Sequence, residues 1–136
     1  MLKMTSTAVV WCCALLVFAC HGSPTEPTAT PLRAGKWAGN DVAIHVADDH
    51  VDFTTSRCVH GFMNRPLVDS HGNFTGDAAV VAWIGPPPQS PPHAVVTGNV
   101  HGDTITLMAR YDNGSTVGPF TATYNSADPT FSPCPP

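Results

Sequence analysis

"HAVVTGNVHGDTITLMARYDNGSTVGPFTATY", residues 93–124, decides the fold. Side chains of a strand point alternately to its two faces, so an apolar residue at every second position marks a strand with one buried face. Three runs do this in succession: Ala94, Val96, Gly98 and Val100; then Ile105, Leu107, Ala109 and Tyr111; then Phe120, Ala122 and Tyr124. Between them stand "HGD" (101–103) and "NGS" (113–115), with turn chemistry. Asn-Gly favours positive φ at both central residues, so a tight two-residue hairpin is expected there. Short connections set successive strands side by side and antiparallel.

The same rhythm runs back towards the amino end. "DVAIHVA" aligns Val42, Ile44 and Val46 with His45 opposite, and "HVDFTTSR" aligns Val51 and Phe53 after a "DDH" turn. "NFTGDAAVVAWIG" (73–85) is more continuously apolar, which predicts burial on both faces or a bulge at Gly76. Two stretches break the pattern. "HGFMNRPL" (60–67) is expected as a short helical turn or loop, and "GPPPQSPPH" (85–93) as an extended loop, since proline cannot serve a central strand.

From Arg33 to Pro136 there are 104 residues, enough for one small domain. They include no Glu, one Lys, one Gln and two Leu, so the good helix formers are nearly missing. The expected class is all-β: a small antiparallel meander of about six to eight strands. It forms a closed or partly open barrel, or alternatively a two-sheet sandwich; periodicity fits either.

Thr7–Ala19 is an uncharged run of 13 residues. About 20 are needed to cross a bilayer, whereas 7 to 15 fit the apolar core of a signal peptide. Its end, "LVFAC", resembles the bacterial lipobox: aliphatic Val17, then Phe18, small Ala19 and the acceptor Cys20. That resemblance implies cleavage before Cys20 and acyl chains on its thiol and new amino terminus. The alternative is an ordinary secretory signal with an incidental cysteine. "HGSPTEPTATPLR" (21–33) is Pro- and Thr-rich with little to bury, and reads as a flexible tether. The expected organisation is therefore a signal peptide at 1–19, lipidated Cys20 and tether at 20–33, and a β-domain at 34–136. His21 follows the acceptor, where an aspartate would signal inner-membrane retention. The expected location is a membrane-anchored lipoprotein, at the outer membrane facing the periplasm or at the cell surface.

Of five cysteines, Cys12 and Cys13 leave with the signal and Cys20 carries lipid, which leaves Cys58 and Cys134. In an oxidising compartment an even pair reads as a disulfide, with two free thiols as the alternative. Removal of residues 1–19 takes one lysine and no acid, leaving five basic and ten acidic side chains, a balance of −5. That lacks the basic footprint on which nucleic-acid binding rests.

The order of short motifs resembles a family of small bacterial secreted or lipid-anchored β-proteins. They are W-x-G (Trp37, Gly39), C-x-H-G (Cys58, His60, Gly61) and D-x-x-G-x-F (Asp69, Gly72, Phe74). A Gly-Pro loop (Gly85, Pro86), then G-x-V-x-G-D-x-x-x-L (Gly98, Val100, Gly102, Asp103, Leu107) and Cys134 complete the series. The resemblance implies an all-β domain and supports the Cys58–Cys134 pairing, and it brings no activity with it.

Six histidines lie in the domain: His45, His50, His60, His71, His93 and His101. None has the spacing of a metal-ligand pair, and no motif of nucleophilic or phosphate chemistry is present, so no catalytic residue, metal or cofactor is assigned. Most aspartates fall at strand ends, where they cap turns. Two function classes follow. The first is a non-catalytic binding or structural module of the cell envelope, holding a small apolar ligand or an envelope protein. Its inward residues would be Val42, Ile44, Val46, Phe53, Val96, Ile105, Leu107, Phe120 and Trp83. The second is an inhibitor-like protein that presents "HGFMNRPL" or "GPPPQSPPH" as a rigid loop. An empty interior favours the first class and a packed one the second.

Overall fold

The computed structural model describes residues 28–56, 59–82 and 90–133. The signal segment, Cys20, Cys58, Trp83, most of the proline stretch and Cys134 lie outside them. The described residues form ten strands: β1 (Thr30–Pro31), β2 (Gly35–Gly39), β3 (Val42–Val46), β4 (His50–Ser56) and β5 (Val59–Asn64), followed by β6 (Leu67–Val68), β7 (Asn73–Ala82), β8 (His93–His101), β9 (Thr104–Tyr111) and β10 (Thr116–Tyr124). Eight of them close into an antiparallel barrel in the order β10-β2-β3-β4-β5-β7-β8-β9, and β1 pairs with β6 in a small separate sheet. The barrel is the realised alternative to the sandwich. Closure removes the edges that an open sheet would offer to other chains.

Alternation holds along the barrel. Val42, Ile44, Val46, Val51, Phe53, Val96, Ile105 and Leu107 are buried in one cluster with Trp37, Met63, Phe74 and Val80, and Phe120 packs half-buried against it. Their partners in sequence face out: His45, Asp52, Thr97 and Met108 all lie on the outer wall.

Three expectations are corrected. "HGFMN" is a strand, not a loop: Gly61 and Met63 are buried while His60, Phe62 and Asn64 are exposed. The alternation is hidden in sequence because its inward members include a glycine. A Cβ on Gly61 would strike the Phe53 ring, so the glycine makes room for a large neighbour. Gly76 carries no bulge: β7 stays in register through Gly76↔Val96, and only its Phe74, Ala78 and Val80 face is buried. The gap at Gly76 is taken by Met63, whose sulfur lies 3.0 Å from where a Cβ would be. The register shifts fall elsewhere, between Thr54 and Ser56 and between Val117 and Phe120.

"NGS" also differs. Only Gly114 has positive φ (85°), and the loop is Asp112–Asn113–Gly114, closed by Gly114 N–H to the Tyr111 carbonyl and Tyr111 N–H to Ser115. This is a three-residue hairpin with the glycine in the left-handed position. Asn113 is diverted to capping: its Oδ1 accepts from the Ser115 N–H (2.9 Å) and hydroxyl (2.6 Å). The β5–β7 connection repeats this design, with Gly72 at φ 84° and Asp69 Oδ1 accepting from the His71 and Asn73 N–H groups at 2.8 Å each.

Alternate turns lie at opposite ends. The lower rim holds the turns 47–49, 65–72 and 102–103. The upper rim holds the turns 40–41 and 112–114, and β4 and β7 end there. At the lower opening Leu32, 1% exposed, enters the core. Its N–H donates to the Pro66 carbonyl (3.0 Å), and its own carbonyl accepts from Arg65 Nε (2.6 Å). The end of the stretch read as tether thus packs on the barrel from Thr30 onward.

The glycine–phenylalanine fit predicts the effect of overpacking. Gly61→Val should destabilise the domain by about 1–3 kcal/mol, and Phe53→Leu in the same chain should recover part of the loss. Urea unfolding midpoints of the two variants check this.

Candidate functional site

After β10 the chain reverses at Asn125, which has φ 51°, and runs back up the outside of the barrel, parallel to β2. Hydrogen bonds along its length pin this strap. The Ser126 hydroxyl donates to the Ala38 carbonyl (2.8 Å), and the Asp41 N–H donates to the Thr130 carbonyl (2.8 Å). The Asp41 carboxylate then accepts from the Ser132 N–H (2.5 Å) and hydroxyl (3.0 Å). Between the pins Ala127, Asp128 and Pro129 arch over the wall.

Under the arch lies a cleft of about 270 Å³, just below the usual range for small-molecule sites. Its walls come from outward positions of four consecutive strands. Lys36 pairs with His45, His45 with Asp52, and Thr54 with His60, so cross-strand register gathers them from 25 residues of sequence. Ala38 and Ala43 form a low floor on which the strap can sit. Sequence spacing misses this group because no two members lie in a recognised motif. The signal that finds it is hairpin arithmetic: a turn centred on 48–49 places 45 opposite 52.

Both charge signs meet here, with Lys36 against Asp52 and Asp128, so the cleft offers donors and acceptors to a small polar molecule. Thr54 Oγ1 and His60 Nδ1 are hydrogen-bonded at 2.7 Å. A hydroxyl beside an imidazole is the start of a nucleophilic triad, but among the described residues no carboxylate hydrogen-bonds the other nitrogen of His60, which catalysis of that kind requires. The pair is a cross-strand hydrogen bond on the wall. Among the described residues no three metal-ligating side chains converge.

Two other histidines bridge pairs of carboxylates on the outer wall. His93 lies 2.9 Å from Asp112 at Nδ1 and 3.3 Å from Asp77 at Nε2, joining β7 to the β9–β10 turn. The Asp112 hydrogen bond, helped by the charges of Asp112 and Asp77, holds its pKa above the ordinary imidazole value. His50 lies 2.5 Å from Asp49 and 3.3 Å from Asp52 and is raised chiefly by its bond to Asp49, whose carboxyl is lowered in turn. Its ring stacks on Phe62, 49% exposed, at 5.1 Å between centroids. The Asp69 carboxyl is lowered mainly by the N–H of Asn73.

Of the inward residues expected to line a ligand cavity, all but Trp83, which lies outside the described residues, belong to the core or pack against it. Both concavities described for this molecule, this cleft and a groove on β7–β9, lie on the outside. Cys20, expected to accept lipid, and Cys58 and Cys134, expected to pair, fall outside the described residues. Compared with protein-family models, curated proteins and solved structures, the chain matches none.

The bridged histidines set a pH dependence. A raised folded pKa means stabilisation present below the ordinary imidazole value of about 6.5 and lost as pH rises through the folded value; the lowered aspartates act oppositely, losing theirs as pH falls below about 4. NMR titration should place the His93 midpoint above that of a free histidine, and Asp112→Asn should return it most of the way. The variant should lose more stability relative to the parent at pH 5.5 than at pH 8.5.

Proposed function

We propose that the chain is exported and held at a membrane by acyl chains on Cys20, and that its barrel is a non-catalytic binding or structural module of the bacterial cell envelope. The packed interior of the described residues weighs against a ligand held inside the barrel and, by the criterion read from the sequence, favours contact with a partner at the surface. Trp37, Phe53, Ile105 and the valines around them occupy the space a barrel ligand would need. An eight-stranded barrel is just wide enough to be filled by its own side chains. Contact with a partner then belongs to the walls and the rims.

Chain direction supports an orientation. The amino-terminal segment enters at the lower rim through β1 and Leu32. A lipid at Cys20 would put that rim nearest the membrane and turn the upper rim outward. β7 ends and β8 begins at the upper rim, which favours, as a second reading, a proline-stiffened loop offered to an envelope protein. "HGFMN" drops out of that reading because it is a wall strand.

The strap supports the sulfur pairing. Ser132 is bonded to Asp41 at the upper rim, and position 134 follows two residues later. Position 58 lies between Ser56 and Val59, which pair with each other at the same rim. A bond from Cys58 to Cys134 would fasten the strap's free end.

Mass spectrometry of the membrane fraction should find Cys20 as a diacylglyceryl-modified amino terminus. Cys20→Ser should move the protein to the soluble fraction; an unmodified Cys20 in the membrane fraction overturns the anchor. A non-reducing peptide map should join Cys58 to Cys134, and Cys58→Ala should cost about 2–5 kcal/mol in urea unfolding.

A further inference from the structure

The two sides of the barrel differ in chemistry. The wall of β2 to β5 carries Lys36, His45, His50, Asp52 and His60, whereas on β7 to β9 Asp77, His93, Arg110 and His101 stand towards the two rims and the outward positions between them, Thr75, Thr97, Asn99, Thr106 and Met108, are uncharged. On that uncharged middle stretch lies a groove of about 420 Å³, within the range of small-molecule sites. It is bordered by Thr75, Thr97, Asn99, Thr106, Met108 and Pro119, and the strands at Phe74 and Leu107, whose side chains are core, run beneath it.

A break in the ladder makes the groove. β9 and β10 pair at Ala109↔Val117 and again at Leu107↔Phe120, so Gly118 and Pro119 together oppose Met108 alone. Such bulges bend the strand and re-aim side chains, and they recur beside functional sites. Here the wall recedes between Met108 and Pro119. Met108 is 39% exposed, an apolar side chain whose outward neighbours are Thr97 across the ladder and Thr106 and Arg110 along its own strand.

The polar border is already fixed. Asn99 Nδ2 donates to the His71 carbonyl (3.1 Å) and to Asn73 Oδ1 (2.9 Å), and Asn73 Nδ2 in turn donates to Asp69 (3.4 Å). These bonds orient the Asn99 amide and leave its oxygen to accept from outside. The Thr106 and Thr121 hydroxyls lie 3.4 Å apart. Threonine hydroxyls both donate and accept, as the hydroxyls of a sugar do. A pre-oriented border loses little freedom on binding.

We propose that this groove binds a neutral oligosaccharide. Met108 and Pro119 meet the C–H face of a pyranose ring, and the threonine and asparagine border meets its hydroxyls. An ionic ligand would find no counter-charge among the lining residues. The inference does not depend on the lipid anchor and is tested separately from it.

The test is NMR titration of the full chain, ¹⁵N-labelled, in phosphocholine micelles, whose head groups carry no sugar. Chitotetraose and maltotetraose are the neutral probes, the first N-acetylated and the second not, and oligogalacturonate is the charged comparator. At least one neutral probe should give saturable shifts centred on Thr75, Thr97, Asn99 and Met108, and which one responds tells an amino-sugar glycan from a plain hexose polymer. Thr97→Arg and Met108→Glu, both at outward positions, should each weaken binding at least tenfold while melting like the parent. Silence with both neutral probes, shifts confined to the strap cleft, binding of the charged probe alone, or unchanged affinity in both variants would overturn the assignment.

Discussion

Closure of the sheet depends on the contact between Trp37 and Tyr124. The β10–β2 seam has two ladder pairs, Thr123↔Ala38 and Tyr124↔Trp37, fewer than any other pairing around the barrel. Side chains make up the difference. The two rings meet edge to face with centroids 5.0 Å apart, and the Tyr124 hydroxyl donates to the Ala34 carbonyl at 3.1 Å. Arg33 covers the other side of the tyrosine at 3.5 Å from its centroid and also reaches Asp103 at 2.7 Å. Aromatic and cation–π contacts of this kind are worth about 0.5–1.5 kcal/mol each beyond burial. Gly35 completes the seam: a Cβ there would sit 2.6 Å from the tyrosine oxygen.

Much of this fold is written plainly in the sequence. Where each inward residue is an ordinary hydrophobe, as in "VAIHV" or "TITLMARY", alternation names both the strand and its buried face. It fails where the inward residue is a glycine standing opposite a large ring. Gly61 against Phe53 and Gly76 against Met63 look like interruptions in one dimension and are complementary shapes in three. Closure itself is not legible, because Tyr124 and Trp37 are 87 positions apart and nothing local announces their pairing. The strap cleft was illegible for the same reason, since its members meet through register. Asn113 misled because its side chain is spent on Ser115 instead of on a two-residue turn.

A filled barrel moves function to its surface. The interior fixes the strands, and the strands in turn hold outward side chains at spacings of about 5 Å between neighbours. Each side uses that grid differently. The β2–β5 wall gathers charges of both signs under a strap, while the middle of the β7–β9 wall, between its charged ends, sets neutral donors and acceptors around a break in the ladder. Both concavities owe their existence to an irregularity: the reversal at Asn125 in one case, the extra residue in β10 in the other.

The strap has a mechanical consequence. It carries the chain as far as Ser132 at the upper rim, while Leu32 enters below, so tension between these two points runs along the strands. Antiparallel hydrogen bonds lie perpendicular to that direction. They are therefore sheared together instead of peeled singly, and the molecule should hold under load until it gives way all at once.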